Sequence, residues 1–144
     1  MTTLNLEKAL VITDAALKKG RELSAAPLTV SVLDAAGRLV SLQREDGSSL
    51  LRPEIATAKA WGAIALGKPS RAIAADAEQR PAFVGAVNTL AQGNLVPVPG
   101  GVLIRDEEAR IIGAVGISGD TSDIDEQCAM SGIEASGLRP DNGL

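Results

Sequence analysis

The sequence predicts an α+β fold, a single antiparallel sheet of about five strands flanked by helices. Three observations carry that expectation. Two stretches of apolar and β-branched residues each turn back on themselves through a short polar corner. Amphipathic segments stand before, between and after these hairpins. The 144 residues include one Trp, one Phe and no Tyr, so the core is built from Leu, Ile, Val and Ala, which suits helices packed closely on a sheet. One domain, residues 1–144, is the natural reading, because a chain of this length buries about two-thirds of its unfolded surface without a staple.

The elements follow in order. Leu6, Ala9, Leu10, Thr13, Ala16, Leu17 and Gly20 recur every three or four residues, the spacing of one helical face. Leu28–Leu33 and Arg38–Gln43 read as strands joined by Asp34-Ala35-Ala36-Gly37, with Asp and Gly at the favoured ends of a tight turn. The polar loop Arg44–Ser49 precedes a helix opened by Pro53 and running to about Leu66, since proline is pre-set for a first helical position. A helical wheel puts Ile55, Ala58, Gly62 and Leu66 on one face, with Lys59 in its middle. Gly67-Lys68-Pro69 breaks the helix; Ser70 caps a short one to about Glu78, and Pro81 opens a third around Phe83 to Leu90.

Leu95–Pro99 is extended and proline-limited, at most an edge strand. Val102–Ile104 and Ile111–Ile117 form the second hairpin across Asp106-Glu107-Glu108. The corner that follows delivers Thr121 or Ser122 as an N-cap, with Ser122 and Asp125 spaced as a capping box. In the last helix Ile124, Asp125, Cys128, Ala129, Gly132 and Ala135 share one side, and Glu126, Gln127, Met130 and Glu134 the other. Beyond Gly137 the tail is expected to fray. The whole order suits a five-stranded profilin- or PAS-like sheet.

Composition narrows the function. A net charge of −4 and no basic run argue against a nucleic-acid surface. The single cysteine, Cys128, forms no internal disulfide and points to a reducing, cytoplasmic setting. No apolar window reaches the length of a membrane span. The absence of histidine removes the usual general base, metal ligand and haem ligand together, and no metal site is predicted.

Proton transfer would therefore fall to carboxylate, lysine, cysteine or water. Lys59, inside an apolar face, either pairs with a buried carboxylate or another subunit, anchors a ligand, or serves as a base or Schiff-base amine. Asp125 caps its helix or faces Lys59 across a pocket as a base. Glu54 is the further catalytic candidate, and Glu126 a ligand-binding one. Arg44 and Arg52 either hold an anionic substrate in their guanidinium forks or remain solvated loop charges. Gly100 and Gly101 either offer amides to a ligand oxygen or permit a bend. Trp61 lines a pocket or an interface, and Cys128 reads as a small buried hydrophobe. The G-x-x-G-x-S-G stretch at Gly113–Gly119 starts inside a strand and lacks a P-loop lysine, so it is weak evidence for a nucleotide site.

Several motifs occur together in sequence: the D-x-x-G hairpin at Asp34, the R-x-D-G loop at Arg44, the A-x-x-K-A helix around Lys59, the P-G-G at Pro99, G-x-x-G-x-S-G, and D-E-x-C-A at Asp125. In this combination the chain resembles the GlcG/HbpS family, haem-binding-protein-like domains also found at the C-terminus of PduO-type proteins. The resemblance implies a small antiparallel-sheet domain that forms homo-oligomers and binds a small ligand, in some members haem. Haem here would use Met130, Cys128, an oxygen ligand or no protein ligand. The first reading is thus a ligand-binding oligomer of this type. The alternatives are a cofactor-independent isomerase, hydratase, hydrolase or deaminase acting on a small carboxylated metabolite, and an accessory subunit that stabilises a partner enzyme.

Overall fold

The computed structural model describes residues 2–144. Ten elements follow along the chain: α1 (Leu6–Glu22), β1 (Thr29–Asp34), β2 (Leu39–Arg44), α2 (Arg52–Leu66), α3 (Ser70–Gln79), α4 (Pro81–Leu90), β3 (Gly101–Arg105), β4 (Ile111–Ser118), α5 (Ser122–Ala135) and β5 (Arg139–Asp141). The strands form one antiparallel sheet in the order β2-β1-β4-β3-β5. The two expected hairpins are present and join through β1 and β4. The architecture is the predicted α+β sheet with five strands.

The fifth strand differs from expectation. Leu95–Pro99 makes no strand: Pro97 and Pro99 lack amide donors, while Leu95 buries itself with Ile73 and Val84 under α3 and α4. The tail expected to fray instead supplies β5, which pairs with β3. Arg105 Nε reaches Asp141 at 2.9 Å, and Asn142 Nδ2 donates to Glu126 at 3.1 Å. Pro140 is tolerated because β5 lies at the sheet edge.

The helices form two layers. Leu33, Leu103 and Ala114 meet Ala60 and Ala63 of α2 on one face. On the other, Val30, Val32, Val102, Val115 and Ile117 meet Ile12 and Ala16 of α1 and Cys128, Ala129 and Ile133 of α5. The buried side of α2 is Ala56, Lys59, Ala60, Gly62 and Ala63, turned from the expected Ile55–Leu66 face; Leu66 is exposed. Close approach decides this, since a Cβ on Gly116 of β4 would overlap the Ala56 carbonyl, and only alanine fits so tight a seam. Leu6 and Leu10 are likewise exposed on α1 while Ile12 takes the core position. On α5, Glu126 is buried and Ala135 exposed, the reverse of the expected sides.

Both hairpin turns use one device. Asp34 Oδ1 accepts from the Ala36 and Arg38 amides, and Asp106 Oδ1 from those of Glu108 and Arg110. Each turn closes through a left-handed residue, Gly37 at φ 76° and Ala109 at φ 65°.

Candidate functional site

Lys59 and Asp125 come together. Lys59 leaves the α2 layer past the ends of β3 and β4, where Gly100 and Gly101 clear its path: a Cβ on Gly100 would lie 2.8 Å from Lys59 Nζ, and one on Gly101 would overlap the Lys59 carbonyl. Nζ donates to the Ile117 carbonyl at 2.9 Å and to Asp125 Oδ2 at 3.1 Å. Asp125 Oδ1 accepts from the Asp120 amide at 2.9 Å. The expected Ser122–Asp125 capping box is therefore absent; Thr121 caps α5 through the Ile124 amide, and Asp125 turns inward.

Only 3% and 1% of the two side chains is exposed. Burial lowers the Lys59 pKa, with Asp125 pulling it back up and Arg52 pushing it down. Burial raises that of Asp125 against the opposing pull of Lys59 and the Asp120 amide. Among the described residues no buried side-chain nitrogen or oxygen lacks a hydrogen-bond partner, so the pair is satisfied by the protein itself. Gly100 and Gly101 are likewise engaged: the Gly100 carbonyl accepts from the Ile117 amide, and the Gly101 amide donates to Ser70 Oγ at 2.7 Å. Ser70 was expected to cap α3; Pro69 occupies that place.

The other candidates lie apart. Glu126 is 5% exposed and receives both Arg71 Nε, at 3.0 Å, and Asn142. Sequence spacing gave no sign of either partner, because α3 and the tail reach it only through tertiary packing. Arg52 begins α2, donating from Nε to Ser49 Oγ at 3.2 Å and from Nη1 to Ser118 Oγ at 2.9 Å. Arg44 ends β2 and is exposed. Cys128 is fully buried, and burial pushes its thiol up to about 11.

Trp61 and Glu54 line a groove of about 430 Å³ between α2 and the outer strand β2. Leu39, Leu42, Arg38, Thr57 and Asn94 complete its walls with the turn glycine Gly37, whose missing Cβ would stand 3.3 Å from Trp61 Cδ1. Leu39 and Leu42 are 58% and 38% exposed. Arg38 and the leucines were not singled out from the sequence, although strand alternation puts Leu42 on the face of Ser31, which bonds Thr57 of α2 at 3.0 Å. Among the described residues no cluster of acidic or cysteine side chains is placed to hold a metal, and no helix is long and apolar enough to cross a membrane.

Residues 4–134 match the family described as "Haem degrading protein HbpS-like". The chain belongs to the HbpS-like family. A crystal structure of PduOC in complex with haem superimposes on this HbpS-like chain with a TM-score of 0.86 at 26% identity, covering 95% of this chain and 97% of that one. The crystal structure of HbpS gives 0.79 at 25% identity, over 93% and 90% of the two chains. The corrinoid adenosyltransferase PduO of Citrobacter freundii is 28% identical over 95% of this chain. The HbpS-like chain spans 40% of that relative's length.

Proposed function

We propose that this HbpS-like chain is a small-ligand-binding protein that holds a planar, carboxylated organic molecule in the groove between β2 and α2. The observation that carries the reading is Trp61 in the groove wall, with Leu39 and Leu42 facing the same space and Arg38 beside them. Indole and leucine surfaces bury a flat apolar body, and a guanidinium fork takes a carboxylate. Glu54 accepts from a ligand N–H or O–H.

Haem, the ligand in the PduOC complex, falls in this class. Its iron is ordinarily held by His, Cys, Met or Tyr. This chain has no His or Tyr, its thiol is buried and protonated, and Met130 lines a separate groove on α5. Axial nitrogen or sulfur ligation therefore does not fit the β2–α2 groove. A porphyrin face and its propionates suit the groove's apolar wall and Arg38.

The enzyme reading needs Lys59 and Asp125 as free acid and base. Their burial against each other favours a structural pair instead. For assembly into homo-oligomers, support comes from α4, which exposes Phe83 and Leu90 within a charge-free stretch from Pro81 to Ile104.

Trp61 is the single tryptophan, so its fluorescence reports the groove directly. Titration with haemin is expected to quench it saturably at one haemin per chain, and Leu42→Glu to weaken that binding. Failure to saturate, or indifference to Leu42→Glu, overturns the reading.

A further inference from the structure

We infer that the groove is polarised and takes an amphoteric ligand, with a carboxylate at its Gly37 end, met by Arg38 and the Trp61 indole N–H, and an ammonium group at its Glu54 end. The inference rests on the groove reading and adds the ligand's class and orientation.

The first ground is the direction of the two walls. Trp61 lies against Gly37. Thr57 bonds Ser31, whose partner on β2 is Leu42. Arg52 bonds Ser118, in the row that Thr29 continues to Arg44. Helix α2 therefore runs opposite to β2. Trp61 and Arg38 stand at one end of the groove, and Glu54 stands toward the other. Glu54 precedes Trp61 by seven residues, nearly two full turns, so the two share one helical face about 10 Å apart along the axis.

The second ground is where the free polar groups of the groove fall. Among the described residues every buried side-chain nitrogen has a hydrogen-bond partner; the Trp61 N–H has none, so it is open to solvent beside Gly37. A Cβ on Gly37 would stand 3.4 Å from Nε1 and crowd that donor. Arg38, the next residue, brings a guanidinium to the same end. Between the ends the strand wall is apolar. A register shift beside Leu33 sets Leu39 opposite Leu33 and Leu42 opposite Ser31, and both partners face α2. Cross-strand partners project to the same face, so both leucines line the groove. Thr57 is spent on Ser31 and the Asn94 amide on the Ala91 carbonyl. Arg38 and Glu54 are exposed and form no ion pair with each other. A flat molecule with an apolar middle and opposite charges at its ends answers all of these groups. Haemin, whose propionates share one edge, answers the donor end alone.

The probes are 6-(aminomethyl)-2-naphthoate, a flat molecule charged oppositely at its ends, and 2-naphthoate, which lacks the ammonium. Because Trp61 is the single tryptophan, its one indole N–H resonance in an isotopically labelled chain reports binding at the donor end. Both probes should move that resonance saturably. The amphoteric probe should bind about fivefold more tightly, the size of one exposed ion pair. Glu54→Gln should bring the two affinities together, and Arg38→Gln should weaken both, with circular dichroism confirming the fold of each variant. Equal affinities in wild type, or an advantage that survives Glu54→Gln, overturns the polarity and spares the groove. A resonance that neither probe moves also overturns it; the groove reading then stands if haemin still quenches Trp61 and falls with it if haemin does not.

Discussion

Lys59 of α2 and Asp125 of α5 meet at 3.1 Å beyond the ends of β3 and β4, linking two helices that lie on opposite faces of the sheet. Each half of the pair lives on a different face of the protein. The contact exists because two glycines leave the lysine room to pass.

Lys59→Met and Asp125→Asn should each destabilise the protein by about 3–5 kcal/mol, because removing one partner leaves the other group buried and uncompensated. Lys59→Met combined with Asp125→Leu should recover most of the loss. Guanidinium unfolding midpoints check this. Unchanged midpoints in the single variants would show that the pair does not hold the layers together.

Gly116→Ala should cost about 3 kcal/mol, at the upper end of ordinary overpacking. The added methyl would overlap the backbone carbonyl of Ala56, and backbone does not yield as a side chain does. Gly67→Ala is the control for the loss of glycine, since its left-handed φ of 68° strains any side chain but nothing lies within 4 Å of its Cβ position. Thermal unfolding of the two variants separates packing from conformation.

Ala109→Gly should stabilise by about 0.5 kcal/mol. Ala109 sits at φ 65° where the matching turn has Gly37, and relief of left-handed strain of about 1–2 kcal/mol exceeds the entropy glycine adds to the unfolded chain. A lower melting temperature for the variant would contradict it.

Asp120 receives the amides of Ala26 and Thr121, which hold its carboxyl below the ordinary 3.8. The folded state therefore resists protonation more than the unfolded state does. The stability this contributes is complete above pH 3.8 and is lost as pH falls through that value toward the folded pKa. Melting temperatures between pH 6 and pH 3, the range that brackets the ordinary carboxylate pKa, should fall less steeply in Asp120→Asn. Parallel slopes in the two proteins would count against this role.

Ending the chain after Leu138 should cost about 2–3 kcal/mol, from the lost β5 ladder and the Arg105–Asp141 pair. It would also leave β3 as an open edge, an invitation to pairing between molecules. Amide exchange along β3 and light scattering on warming measure the two effects.

Local patterns announced both hairpins and the helices around them, since period-two and period-3.6 spacing are written into adjacent residues. What they could not announce was proximity. The Ile55–Leu66 stripe looked like the buried face of α2 because hydrophobicity favours large side chains, yet Gly116 brings β4 so close that Ala56, Ala60 and Ala63 took the contact instead. The oddness of Lys59 was legible, whereas Asp125 read as a helix cap or as a partner of Lys59, and only the structure decides between them; the burial of both behind Gly100 and Gly101 was not legible. Glu126 and Arg71 stand far apart in sequence and meet through α3. The tail read as polar and free, and its strand appears only once β3 offers an edge.

The β1–β4 seam also governs when the molecule can form. Thr29 pairs with Ser118, so the centre of the sheet joins segments from opposite ends of the chain, and such distant pairing slows folding. On the ribosome the first hairpin must wait, one side of β1 uncovered, until β4 has emerged. During that interval the β1 backbone groups that later pair with β4 form an open edge that other nascent chains can meet, and the abundance of folded protein in a cell depends on how well that interval is protected.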